Sequence, residues 1–102
     1  IIISTNDKTV ESPTGLGTIS MFIVGNIRNK GEQTLTVLEV NAAVIDQQNN
    51  VLKDKNVLVV PERTSDLGPG ETTPVTLALE GFDPKADRAN IRWKVTALKT
   101  AN

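Results

Sequence analysis

The sequence predicts an all-β chain, two antiparallel sheets packed as a sandwich of about seven strands in a single domain. Three observations carry this. Apolar and polar residues alternate with a period of two in several separate stretches, and Gly, Pro and Asn fall between those stretches. Nowhere do apolar residues recur at helical spacing over the roughly 11 residues that an amphipathic helix needs. At 102 residues, with 38% hydrophobic and 23% charged content, the chain has the size and balance of one globular domain. An open barrel is the alternative closure of the same strands.

Taken in order, residues 1–17 form an amino-terminal segment expected to pack on or extend the sandwich, with Gly15-Leu16-Gly17 as a flexible turn rather than a dinucleotide loop. Residues 18–29 set Ile19, Met21, Ile23, Gly25 and Ile27 against Ser20, Phe22, Val24, Asn26 and Arg28, a long strand. The turn Asn29-Lys30-Gly31-Glu32 leads into 35–46, and the two strands read as a hairpin. In the second of them Leu38, Val40, Ala42 and Val44 form an apolar face opposite Glu39 and Asn41, so that face points to the core. Gln47-Gln48-Asn49-Asn50 is a turn, and Asp46 opens it with a carboxylate able to accept backbone amides two residues on.

Val51-Leu52 resumes the chain, and a short strand at 57–60 ends at Pro61. Leu67-Gly68-Pro69-Gly70 is a turn, and 71–80 alternates Val75, Leu77 and Leu79 against Thr76, Ala78 and Glu80. Pro74 cannot donate to a ladder, which places this strand at an edge or Pro74 near its start. The loop 81–90 has room for one helical turn between Lys85 and Arg88. The last strand, 91–99, turns Ile91, Trp93, Val95 and Ala97 away from Arg92, Lys94 and Thr96, with Leu98 out of step. Trp93 shares the apolar face and reads as a core anchor.

The chemistry available is narrow. The chain has no His, no Cys and no Tyr, which removes the commonest general base, the commonest metal ligand and every thiol reaction. Carboxylate pairs such as Asp46 with Glu39, or Asp83 with Asp87, have no separation fixed by the sequence, and the 46–50 turn has one carboxylate, too few for a calcium loop. No catalytic residue, cofactor or metal site is therefore assigned, and the chain is read as not an enzyme. Lys and Arg total 11 against 12 Asp and Glu, so no overall field steers the chain to nucleic acid or anionic lipid. No run reaches the ~20 apolar residues of a membrane-spanning helix. Ile1 follows no methionine, which suggests a processed or excised chain whose signal or anchor segment is missing.

Phe22, Val24 and Ile45 do not fit a plain sandwich. Each falls on the face opposite its strand's core set, and together they form the candidate interaction patch. Either the amino-terminal segment, with Ile1 to Ile3 and Val10, covers them, or a partner or second copy does.

The runs Ile23-Val24-Gly25-Asn26-Ile27-Arg28-Asn29, Val40-Asn41-Ala42-Ala43-Val44-Ile45-Asp46 and Leu67-Gly68-Pro69-Gly70-Glu71 resemble the FxLYD-type bacterial β-sandwich domains. Where that pattern has an aromatic and then Leu-Tyr-Asp, this chain has Ala42, Val44, Ile45 and Asp46. The resemblance implies an immunoglobulin-like sandwich outside the cytoplasm, behind a signal peptide, lipid anchor or transmembrane helix, with no catalytic residues to carry over. The expected function is a non-catalytic structural or protein-interaction module of the cell envelope. The alternative is a small-ligand or peptide binding module using the outward apolar face or a sheet edge. The expected partner is a protein or the rest of the parent chain; a homo-oligomer stays open, nucleic acid is not expected, and membrane contact would come only through the missing anchor.

Overall fold

A computed structural model describes residues 8–101. Among them there is no helix, and six strands form two three-stranded antiparallel sheets. β1 (Lys8–Pro13), β2 (Ile19–Arg28) and β5 (Thr72–Phe82) make one sheet in the order β1-β2-β5. β4 (Val51–Val60), β3 (Leu35–Ile45) and β6 (Asn90–Thr100) make the other in the order β4-β3-β6. The sandwich is as predicted; the strand count is six rather than about seven. The segments at 51–52 and 57–60 run as one strand, because the intervening Lys53, Asp54 and Lys55 keep their places opposite Val44, Ala43 and Ala42.

The alternating sets meet between the sheets. Met21, Ile23 and Ile27 of β2 and Val75, Leu77 and Leu79 of β5 close over Leu38, Val40, Ala42 and Val44 of β3 and Val57, Val59 and Val60 of β4, all buried in one cluster. Burial of this kind stabilises at about 25 cal/mol per Å² of apolar surface, and β2, β3, β4 and β5 all contribute to it. Pro74 sits third in β5, an edge strand, where a missing donor costs no ladder bond to a second neighbour.

The predicted hairpin between the strands at 18–29 and 35–46 does not form. β2 and β3 lie in opposite sheets, since both bury their apolar face and the connection 29–34 carries the chain across the core. The hairpin that does form joins β3 to β4 through the turn after Asp46. There Asp46 Oδ1 accepts the amides of Gln48 (2.9 Å) and Asn50 (2.8 Å), and Asn49 takes a positive φ of 66°. The loop before β6 holds a single turn, Ala86 N–H donating to Asp83 carbonyl at 2.9 Å, in place of the expected helical turn.

Bulges account for the places where alternation fails. Glu39 pairs with Ala97 and Val40 with Val95, leaving Thr96 as an extra residue in β6 that shifts Leu98 to the position opposite Leu38, where at the strand's end it remains exposed. Val59 is extra in β4 between the partners of Leu38 and Glu39, which lets both Val59 and Val60 be buried. Trp93 faces inward as expected, but on the edge strand β6 it is half-buried at the core's margin rather than anchoring its centre.

Candidate interaction surface

The outer face of the β1-β2-β5 sheet is set by strict alternation in β2. With Met21, Ile23 and Ile27 inward, Ser20, Phe22, Val24 and Asn26 project outward. Register then makes rows across the sheet: Val10, Phe22 and Ala78 are opposite one another, and Lys8, Val24 and Thr76 form the next row. Val10 is 61% exposed and Phe22 46%, while Val24 is half-buried between its neighbours. Phe22 and Val24 thus lie together as the sequence predicts. β1 extends the sheet at its edge, and Val10 stands beside Phe22 without covering it. Ile1 to Ile3 lie outside the described residues.

Ile45 is not part of this surface. It ends β3 in the other sheet, is only 6% exposed, and stands opposite Val51 on one side and Asn90 on the other. Ala89 N–H donates to its carbonyl at 3.0 Å, so the loop arriving at β6 closes against it. The three-residue patch is corrected to Phe22 and Val24, joined by Val10, which cross-strand register adds.

The outer face of the β4-β3-β6 sheet is polar and internally bonded. Asn41 Nδ2 donates to Asp54 Oδ2 and Asn56 Oδ1, each at 2.9 Å, and Thr96 Oγ1 donates to Glu39 Oε1 at 2.8 Å. Arg92 and Lys94 flank this ladder in β6.

A cleft of about 230 Å³ opens between β1 and the loop before β6, lined by Thr9, Glu11, Met21, Val44 and residues 88–91. Its two charged groups hold each other. Arg88 Nε donates to Glu11 Oε2 at 2.6 Å and Nη2 to Oε1 at 3.2 Å, while Nη1 bonds the carbonyls of Asp83 and Ala86. The hydrogen bond from Arg88 holds the Glu11 carboxyl below its ordinary range. A carboxylate so stabilised is a weaker base, and the arrangement serves as a clasp between β1 and the 83–90 loop. No group of three or more His, Cys, Asp or Glu among the described residues could hold a metal ion.

One structural residue escapes periodicity altogether. Asn29 is fully buried, its Nδ2 donating to the carbonyls of Gln33 (2.8 Å) and Leu67 (2.9 Å) and its Oδ1 accepting the Gly31 amide (2.9 Å). Its own backbone exchanges bonds with Glu71 and Gly70. The turn Asn29-Lys30-Gly31 and the run Leu67-Gly68-Pro69-Gly70-Glu71 are therefore two halves of one joint where the chain changes sheets.

No protein-family model matches the sequence, and no curated protein matches it. Among solved structures, the "Putative ApaA Protein" from Bordetella pertussis is similar, with a TM-score of 0.51 and 21% identity over 78% of this chain. The match spans 65% of that protein's chain, and at this identity the likeness is one of fold.

Proposed function

We propose that the domain is a non-catalytic protein-interaction module of the cell envelope, and that it presents the outer face of the β1-β2-β5 sheet to a partner protein or to another part of its parent chain. One observation carries the reading. Val10, on the edge strand β1, and Phe22, on the central strand β2, stand side by side and exposed, while the face's charges, Lys8, Arg28 and Glu80, fall in other rows. An aromatic ring left in water forfeits a large burial term, and a contiguous apolar patch of this kind is a common mark of a contact surface. The pairing of Glu11 with Arg88 supports a non-catalytic role. The resemblance of the 23–29, 40–46 and 67–71 runs to FxLYD-type domains supports the envelope.

The test is site-specific photocrosslinking in the parent protein in its native cell. A crosslinker at Phe22 is expected to give discrete adducts that one at Asn41, on the opposite outer face, does not give. Equal labelling from the two positions, or none from Phe22, would reject this surface.

A further inference from the structure

We propose that the chain exchanges β1 with a second copy of itself, the turn at 14–18 opening so that β1 and β2 run on as one long strand and each β1 joins the other copy's sheet. The inference goes beyond the reading of the Phe22 face and does not need that face to have a partner.

β1 is lightly attached to the sandwich it belongs to. All six of its residues are exposed, whereas β2 beside it buries Met21, Ile23 and Ile27. It pairs with β2 from Lys8 to Pro13, and a cleft of about 230 Å³ separates it from residues 88–91. The ion pair of Glu11 with Arg88, at 2.6 Å, spans that cleft. Arg88 is placed by its own loop, its Nη1 donating to the carbonyls of Asp83 and Ala86. The receptor for the carboxylate therefore keeps its shape whether Glu11 comes from the same chain or from a second copy.

The turn between β1 and β2 encloses nothing. Gly15 and Gly17 each hold a φ of 83°, a Cβ added at either would meet no atom within 4 Å, and Leu16 between them is 88% exposed. Glycine passes between this conformation and an extended one at little steric cost, so the step from closed turn to straight strand is a backbone change with no core to disrupt.

Register carries the exchange through the turn. The β1–β2 ladder runs without a slip from Lys8 opposite Val24 to Pro13 opposite Ile19, and Thr14 N–H continues it by donating to the Thr18 carbonyl at 3.1 Å. In an opened ribbon the same register sets Thr14 against Thr18 of the second copy, Gly15 against Gly17, and Leu16 against Leu16 on the two-fold axis. Leu16 then takes the outward parity of Val10 and Phe22 and gains an apolar cross-strand neighbour. Each contact of β1 is remade with the second copy, which makes such an exchange a low-cost route to a dimer. A strand from another protein would leave the main-chain groups of β1 without their ladder and would have to supply a carboxylate in place of Glu11. A second copy meets both conditions.

The test uses the 102-residue chain. Light scattering on the size-separated protein is expected to show monomer and dimer, with the dimer fraction rising with concentration as mass action requires. The variants E11R and R88E each set like charges at the clasp. Unfolded, mixed and refolded together, they regain an opposite-charge pair at both clasps only in a heterodimer that has exchanged β1. Native mass spectrometry should find that heterodimer about threefold or more above its statistical share, the modest factor expected of exposed ion pairs. Deleting Leu16 and Gly17 keeps the alternation of the ribbon but leaves one residue between Thr14 and Thr18, fewer than the two of the tightest common hairpin loop, so this variant should be a dimer at every concentration. A wild type that stays monomeric up to about 1 mM, the weak end of specific association, would overturn the proposal. So would a heterodimer at or below its statistical share, or a deletion variant that folds as a monomer.

Discussion

The two outer faces of the sandwich are built from the same alternation and end in opposite states. On β4-β3-β6, amide, hydroxyl and carboxylate side chains at outward positions bond across the strands, Asn41 to Asp54 and Asn56 and Thr96 to Glu39, so these five have partners within their own sheet. On β1-β2-β5, the central outward positions hold Phe22 and Val24 with Val10 beside them. Cross-strand pairs are worth about 0.2–1 kcal/mol each, so neither face decides the fold. They differ in character: the polar face carries a bonded ladder of amides and carboxylates, and the apolar one has unbonded surface to offer.

The comparison breaks first, and most severely, if the joint between the sheets is removed. Asn29→Ala leaves the carbonyls of Gln33 and Leu67 and the amide of Gly31 without their partner in a buried place. A cost of about 3–5 kcal/mol is expected, at about 1–3 kcal/mol for each buried group left unsatisfied and offset where water enters. Denaturant unfolding measures it, and both faces should lose order together. A loss below about 1 kcal/mol would mean that the joint does not set the sheet crossing.

The faces separate at the next level. Ile45→Ala is expected to cost about 2–3 kcal/mol, the lower part of the range for a buried aliphatic at the end of a strand, and Phe22→Ala less than about 1 kcal/mol. Thermal unfolding of the two variants gives the ratio directly. If Phe22→Ala proved as costly as Ile45→Ala, Phe22 would be core rather than surface, and the apolar face would have no claim to a partner.

These residues also mark how far the sequence could be read. Period-two alternation exposed the sandwich and placed Ile23, Ile27, Val40, Val44 and Leu77 in the core, because strict alternation has one geometric meaning. It paired β2 with β3 wrongly, since two strands that bury the same face are equally suited to lie side by side or face to face across a core. Ile45 was misplaced because its parity is outward, while its burial comes from the end of the strand and from the loop before β6, whose Ala89 amide bonds its carbonyl. Leu98 looked like the end of the pattern; it is the bulge at Thr96 that shifts its parity. Asn29 was legible only as a turn former, since its partner at Leu67 lies 38 residues away. The runs 23–29, 40–46 and 67–71 end at or lie in this joint and the Asp46 turn, so their residues serve the geometry of a sandwich corner.

The smallest expected effect separates the attachment of β1 from everything else. β1 is exposed throughout, so its hold on the sandwich comes from the ladder to β2 and the clasp between Glu11 and Arg88. The Arg88 hydrogen bond, opposed by partial burial and aided by charge attraction, lowers the Glu11 pKa from its ordinary 4.5. A carboxyl depressed in the folded state stabilises above its unfolded pKa, and that stability is lost as pH falls through the folded value. The wild type should therefore melt slightly above Glu11→Gln at pH 7, with the difference shrinking below about pH 4.5 and vanishing once both side chains are neutral. The effect is small because the Glu11 side chain is 40% exposed and water screens the pair. A melting difference that stays constant down to pH 3 would show that β1 is held by its backbone ladder alone. The apolar face would then hold its Val10 margin equally firmly at any pH, instead of slightly less firmly in acid.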